Sequence, residues 1–536
     1  MLFNSNAFVF VFLPIVLAVF FGARRTFGTR AALGCLLAAS VFFYGWWNPY
    51  YVLLLAGSIG FNFALARAAP GISAARPRRA ALAMGITVNL AALGYCKYAN
   101  FFVANYEALS GATVDWQGVT LPIAISFFTF QQIAYLVDRF RGSGDRDDFL
   151  DYALFISFFP QLIAGPIVHH SELLPQLREE ERFRFSPTNF AVGWTIFFIG
   201  LFKKTVVGDT MAGFATPIFK AADAGATIGF VDAWAAALSY SFEIYFDFSG
   251  YSDMAIGLAR LFGLHLPINF ESPYKARSII DFWRRWHITL SRFLRDYLYI
   301  PMGGSRRGST RRYVNLMITM LLGGIWHGSG WNFLIWGGLH GIYLAINHAW
   351  RALSSAINPT PRAGWLTSRL ALILTFAVTV VAWVPFRAET LRGTTQMLEA
   401  MLTPASRAQP PALLNWTAIA KRPDGAHGEL RVGVDDFQYS EPGFWVLDVL
   451  DIHAGGAWWL GLCLLLVWGL PSTREWMADY RPGIATYPEP SSRWQNAGGV
   501  ARWRPNIAWA LFTAVIAFAS IVALQGPIRE FIYFQF

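Results

Sequence analysis

Charge is what this chain has least of: only 14% of its 536 residues are Asp, Glu, Lys or Arg, against about 25% in a soluble globular domain. That shortage excludes an ordinary water-soluble fold. The three cysteines, Cys35, Cys96 and Cys463, each stand alone in an apolar segment without a CxxC or His/Cys spacing, which supports neither a zinc ribbon nor a disulfide framework. No repeat recurs at a fixed period, and the chain does not divide into two similar halves. This weighs against a transporter built from internal repeats. The net charge is +10, yet no Lys/Arg run with interleaved aromatics lies outside the short loops, so a nucleic-acid partner is not expected. In a membrane protein the basic excess marks cytoplasmic loops. The opening stretch, Met1 to Gly22, lacks a basic segment before its apolar run and a small-residue cleavage site. It reads as a retained first membrane helix rather than a signal peptide.

What is present is apolar: 55% of residues are hydrophobic and 17% aromatic, with 22 tryptophans. Indole rings suit membrane interfaces, so their number names no ligand. Apolar stretches of roughly 15 to 20 residues recur, the length that crosses about 30 Å of hydrocarbon. They fall near residues 7–23, 31–47, 51–66, 80–96, 121–138, 150–165, 189–203, 228–246, 313–326, 332–349, 366–386, 457–470 and 507–524. The expected fold is all-α and polytopic, with about 11 transmembrane helices. Basic loops containing Arg24, Arg25 and Arg30, then Arg67 to Arg79, then Arg139, Arg141 and Arg146 alternate with uncharged ones. The positive-inside rule then puts both termini outside the cytoplasm, together with the acidic, Pro- and Gly-rich stretch from Pro404 to Gly456. That stretch reads either as a partner-docking surface or as a plain connection.

Three stretches carry residues that suit chemistry. In GGIWHGSGWN (Gly323 to Asn332), His327 stands between tryptophans and glycines inside an apolar run. A titratable ring there is costly without a partner or a task. The glycines Gly323, Gly324, Gly328, Gly337 and Gly338 alone suit close helix packing, but packing needs no histidine. His340 is read either way. From Asp281 to Met302 the spacing predicts one amphipathic helix at the membrane surface, with Phe282, Trp286, Leu290, Phe293 and Tyr297 on one stripe and Arg285, Thr289, Arg292 and Asp296 on another. His287 and Ser291 form an i, i+4 pair on its apolar side. A lone histidine there is as a rule a core residue; His327 forty residues on weighs toward function. In SFEIYFDFSGYSD (Ser241 to Asp253), the buried carboxylates Glu243, Asp247 and Asp253 must be protonated, paired or metal-bound. They read as orienting a catalytic histidine or lining a donor site, or as pairing with Arg284, Arg285 or Lys275. The pairing reading is favoured for Asp247 and Asp253, and no metal is expected. Two prolines around a glycine in FFPQLIAGPIVHH (Phe158 to His170) predict a broken or re-entrant segment, with His169 and His170 at an interface.

These residues together resemble the membrane-bound O-acyltransferases, in the bacterial branch that acetylates alginate. The matching stretches are Met1 to Ser5, ISFFTFQQIAYLVDRFRG (Ile125 to Gly142), FPQLIAGPIV (Phe159 to Val168), FDFSGYSDMAIG (Phe246 to Gly257), FWRRWHITLSRFLRDYLYIPMGG (Phe282 to Gly304), GGIWHGSGWNF (Gly323 to Phe333) and the closing FIYFQF. Two features depart from the pattern: His169-His170 stands where an arginine is expected, and Pro404 to Gly456 matches no motif. The resemblance implies His327 as the catalytic histidine, His287 as a second functional histidine, and a tunnel from a cytoplasmic donor site to an external acceptor site. It implies acetyl-CoA as donor substrate with no bound cofactor, and membrane lipid around the protein. It further implies a bacterial inner-membrane location and, as partners, a periplasmic acetyltransferase relay protein within a polysaccharide-synthesis complex. In that chemistry a neutral imidazole at His327 serves as general base. His287 and Ser291 position the donor, Trp326 or Asn332 donates to the oxyanion, and Glu243 and Asp247 line the donor path. Rival readings are transfer to peptidoglycan or cellulose, D-alanyl transfer to teichoic acid, export of an acylated molecule, or a structural scaffold.

Overall fold

The computed structural model describes residues 1–142, 147–163, 165–357, 364–403, 418–421, 429–432, 456–487, 502–526 and 529–532. Helices dominate them, as the apolar periodicity predicts. The Pro404 to Gly456 stretch lies largely outside these residues. Within it, Ala418–Lys421 and Glu429–Val432 pair antiparallel, Ala418 opposite Val432. Most of FIYFQF lies outside them too.

Among the described residues, five helices are long and apolar enough to cross a membrane: Ala7–Phe27, Pro49–Gly71, Ala75–Ser110, Pro187–Asp223 and Trp365–Arg387; shorter apolar helices occupy Thr29–Gly45, Gly456–Gly469 and Ile507–Ala523. The other expected spans are helical for most of their described length, and some carry polar residues. One is Phe230–Leu261, a 32-residue helix that carries Glu243, Asp247, Asp253 and Arg260. The chain is a multi-pass membrane protein.

The chain forms two compact units. The first comprises residues 1–198, 251–268 and 477–510. Its helices meet where side chains are small or polar, as expected where lipid gives no hydrophobic drive between helices. Asn62 and Asn89 exchange hydrogen bonds of 3.1 and 2.7 Å. A Cβ on Gly193 would lie 2.8 Å from the Gly257 carbonyl, and one on Gly257 2.6 Å from that of Gly193. The expected broken segment is present: helix Phe149–Ser157 stops at Phe158, the short helix Phe159–Leu162 follows, and residues 165–169 are non-helical before helix His170–Leu177.

The second unit, residues 199–250, 269–476 and 511–536, holds the stretches around His287 and His327. Its centre is a helical hairpin, α1 (Ser309–His327) and α2 (Trp331–Ile357). The turn falls at Gly328-Ser329-Gly330, so His327 is the last residue of α1. Gly324 and Gly337 make the close approach: a Cβ on either would meet backbone oxygen, Phe333 at 2.2 Å and Met320 at 2.4 Å. Gly338 has ordinary room, whereas a Cβ on Gly323 would press on the Leu294 side chain at 3.3 Å.

The single surface helix expected from Asp281 to Met302 is not formed. Helices Ile279–Trp283 and Ile288–Leu294 flank a break, and a π-helical turn, Arg295–Tyr299, follows. The cause is pairing with the preceding loop. Glu271 N–H donates to Arg285 O at 2.9 Å, and Ile288 N–H to Asn269 O at 2.9 Å. Backbone committed to these bonds leaves the helical ladder. His287 takes the corner in the left-handed region, φ 41° and ψ 54°. Thr289, expected among solvated residues, is therefore buried.

Candidate active site

Two elements deliver the two histidines: the end of α1 carries His327 and the corner before Ile288–Leu294 carries His287. Both are buried, 4% and 0% exposed. Their ring centroids lie 6.4 Å apart. Trp326 stands beside both, 4.9 Å from His327 and 6.3 Å from His287. The remaining walls are aromatic. Trp336 and Phe386 flank His327 at 5.0 and 5.2 Å, and Phe248 meets His287 edge-on at 4.7 Å. Such walls exclude water and hold an imidazole by shape rather than by charge.

Asn269, which the sequence reading passed over, fixes His287. Its side-chain oxygen accepts from Thr289 N–H at 3.3 Å and Thr289 Oγ1 at 2.9 Å, and it lies 3.1 Å from His287 Nδ1. An amide oxygen only accepts, so His287 carries its proton on Nδ1 and Nε2 is the basic nitrogen. Burial pushes the His287 pKa down from the usual 6.5 to about 3, so the ring is neutral through the physiological range. A non-glycine residue held in the left-handed region costs about 1–2 kcal/mol, and such strain concentrates at functional sites. The signal was in the sequence: a polar residue inside Pro267-Ile268-Asn269-Phe270, just after a helix ends. Its register with His287 was not.

The other sequence candidates are placed differently. Ser291 Oγ donates to Trp286 O at 3.4 Å; with the helix broken at His287, the two residues do not share a helical face. Asn332 uses both ends of its amide, donating to Ala388 O at 2.7 Å and accepting from Thr394 Oγ1 at 3.2 Å. It pins the start of α2 to the corner after Trp365–Arg387.

Asp247 is paired, as favoured, but not with Arg284, Arg285 or Lys275. Its carboxylate lies 2.5 Å from Lys204 Nζ and accepts from Ile532 N–H at 3.0 Å. Lys204 also holds Asp209 at 2.8 Å. The three named cations are engaged elsewhere or lack a contact with it: Arg285 pairs with Asp281 at 2.8 Å and Lys275 donates to Leu470 O. The helix register decides this. Gly208 and Asp247 meet at a close helix crossing, a Gly208 Cβ lying 3.2 Å from Asp247 N, which brings the Lys204 turn alongside. Glu243 lies one turn earlier, with Arg387 as its leading charged neighbour. Its Oε2 is buried without a hydrogen-bond partner among the described residues.

A third histidine joins the aromatic wall. His340 is fully buried, 4.9 Å from Trp336 and 5.1 Å from Trp283. Neither of its ring nitrogens has a hydrogen-bond partner among the described residues. Trp336 thus lies between His327 and His340. In the loop that carries Asn269, Glu271 pairs with Arg474 at 2.8 Å, both side chains 9% exposed.

Residues 141–381 match the model of the MBOAT, membrane-bound O-acyltransferase family. The chain is 43% identical over 429 residues to the peptidoglycan O-acetyltransferase of Helicobacter pylori, covering 75% of this chain and 80% of that protein. It is 42% identical over 410 residues to the probable alginate O-acetylase AlgI of Pseudomonas aeruginosa, 75% of each chain. The teichoic acid D-alanyltransferase of Streptococcus thermophilus is more distant, 26% identical over 294 residues, 49% of this chain and 68% of that one.

Proposed function

Since the chain belongs to the membrane-bound O-acyltransferase family and is an acyltransferase, we propose that His327 is its general base and that it sends acetyl groups from cytoplasmic acetyl-CoA toward an exopolysaccharide of the alginate kind. The observation that carries the reading is the pair of buried histidines, ring centroids 6.4 Å apart, within one aromatic enclosure.

The chemistry balances on these residues. The acceptor hydroxyl gives its proton to the neutral His327 imidazole as its oxygen bonds to the acyl carbonyl carbon. The tetrahedral oxyanion then collapses, the carbon–sulfur bond breaks, and the thiolate takes the proton back from His327. General base catalysis of this kind contributes typically about 10²- to 10⁴-fold. His287, held neutral with Nε2 unprotonated, positions the acyl donor. Trp326, adjacent to both rings, is the better candidate than Asn332 for an N–H aimed at the oxyanion, because the Asn332 amide is committed at both ends. The aromatic walls keep water from intercepting the thioester. Asp247, tied to Lys204, and Ser291 act by holding structure rather than by touching donor.

A tunnel from a cytoplasmic donor site to an outer acceptor site, an inner-membrane location with both termini outside, and a periplasmic relay acetyltransferase complete the proposal. Lys/Arg distribution supports the orientation. One rival has its own support: the likeness to a peptidoglycan O-acetyltransferase is as strong as that to the alginate proteins. Ester analysis of a deletion strain separates the two. Loss of O-acetyl from the extracellular polymer, restored by the wild-type gene, is expected; loss from the cell wall alone would move the acceptor to peptidoglycan. An exporter of acylated molecules would release no CoA thiol from acetyl-CoA.

A further inference from the structure

In the first unit, Asp138 lies near the end of helix Ile125–Arg141, while His169 caps and His170 begins helix His170–Leu177. One carboxylate oxygen, Asp138 Oδ2, stands 2.9 Å from His169 Nε2 and 3.2 Å from His170 Nε2. Their donor atoms all fall within 4.8 Å of one another. We propose that Asp138, His169 and His170 form a binding site for a divalent transition cation, Zn²⁺ by preference, unconnected with the acyl-transfer chemistry.

The geometry suits a tetrahedral ion. At metal–ligand distances of about 2.0–2.1 Å, neighbouring ligand atoms sit about 3.3 Å apart, near the two separations observed. Two imidazoles and one carboxylate are a zinc donor set, whereas Mg²⁺ and Ca²⁺ require mostly oxygen. Coordination through Nε2 needs a partner for the other ring nitrogen. His169 Nδ1 accepts from Ser171 N–H at 3.3 Å and lies 2.6 Å from Ser171 Oγ; zinc on Nε2 moves the ring proton to Nδ1, where Ser171 Oγ accepts it. The backbone is fixed as well: His169 N–H donates to Glu172 Oε2 at 2.9 Å in a capping box, and the Tyr135 ring packs edge-on to His170 at 5.5 Å. The side chains of Asp138, His170 and His169 are 13, 10 and 26% exposed, which leaves a solvent-side position for a fourth ligand. Arg141, more than half exposed, approaches the opposite carboxylate oxygen at 3.7 Å. No metal was expected from the buried carboxylates of Ser241 to Asp253, and Asp138 stands 31 residues before His169, a spacing that no zinc motif announces.

The test uses the full chain purified through a tag without histidine, loaded with Zn²⁺ alone against a chromophoric chelator. One equivalent per chain is expected, with X-ray absorption showing two imidazoles and oxygen around the zinc. His169→Gln, His170→Gln and Asp138→Asn should each weaken binding at least tenfold, and Ser171→Ala by about 10- to 100-fold. Wild-type protein that binds no stoichiometric zinc, a zinc shell without imidazole, or a His169→Gln/His170→Gln variant of unchanged affinity would each overturn the site. The first two readings need no variant to fold.

Discussion

His287 combines a strained backbone with a desolvated ring, and substitution can separate the two. At φ 41° glycine is favoured over alanine by about 1 kcal/mol. His287→Gly should therefore melt higher than His287→Ala, while both lose most transfer activity. The depressed pKa sets a pH window. The unfolded ring protonates near 6.5 and the folded one near 3, so the unfolded state binds the extra proton between them. The stability of the wild type should be full above about pH 6.5 and fall below it. Melts at pH 7 and pH 5.5 should show a smaller drop in His287→Asn. Asn269→Ala removes three contacts worth about 1 kcal/mol each; it should keep expression, lower the melt, and reduce acetyl transfer at least tenfold by freeing the His287 ring. The histidines were legible in the sequence because a titratable ring amid apolar neighbours is conspicuous at one position. Asn269 was not, because an isolated polar residue in a loop shows neither its partner nor its register. The same limit gave Asp247 the wrong cation: a sequence shows that a buried carboxylate needs a partner, while helix packing selects Lys204.

At the scale of elements, the hairpin of α1 and α2 and the broken segment around His287 behave oppositely. The hairpin follows from its sequence, since glycines at Gly324 and Gly337 permit close approach and Gly328-Ser329-Gly330 ends the first helix. Gly337→Val should expel the turn of α1 at Met320 and cut the yield of folded protein, an overpacking cost of about 1–3 kcal/mol or more; Gly338→Ala, with room around it, should be tolerated. Size-exclusion profiles and melts of the two compare them directly. The segment from Asp281 was misread because its apolar and basic residues do fit a helical stripe. Backbone bonds from Asn269 and Glu271 outcompete that local preference, and no helical-wheel argument contains them. Its anchor is the buried pair Glu271–Arg474. Arg474→Met leaves the Glu271 carboxylate buried and uncompensated, which should cost about 3–5 kcal/mol, whereas the double change with Glu271→Leu should recover much of it.

At the scale of the molecule, low charge and recurring apolar stretches were enough to give an all-helical multi-pass protein, because the membrane allows few other solutions. The chain's motifs then gave the acyltransferase family. What they did not give was which of the buried polar groups act and which hold helices together; that depends on distances between segments far apart in the chain, as with Asn332 and Ala388 or Asp138 and His169. His327 as the base of acyl transfer is reached most directly by one measurement. A deletion strain is complemented with wild-type protein or with His327→Gln, membrane levels are matched by immunoblot, and the O-acetyl content of the extracellular polymer is determined. The expected result is full acetylation with wild type and a fall of at least 10²-fold with the variant at equal membrane abundance. Polymer acetylated to the wild-type level by His327→Gln would contradict it.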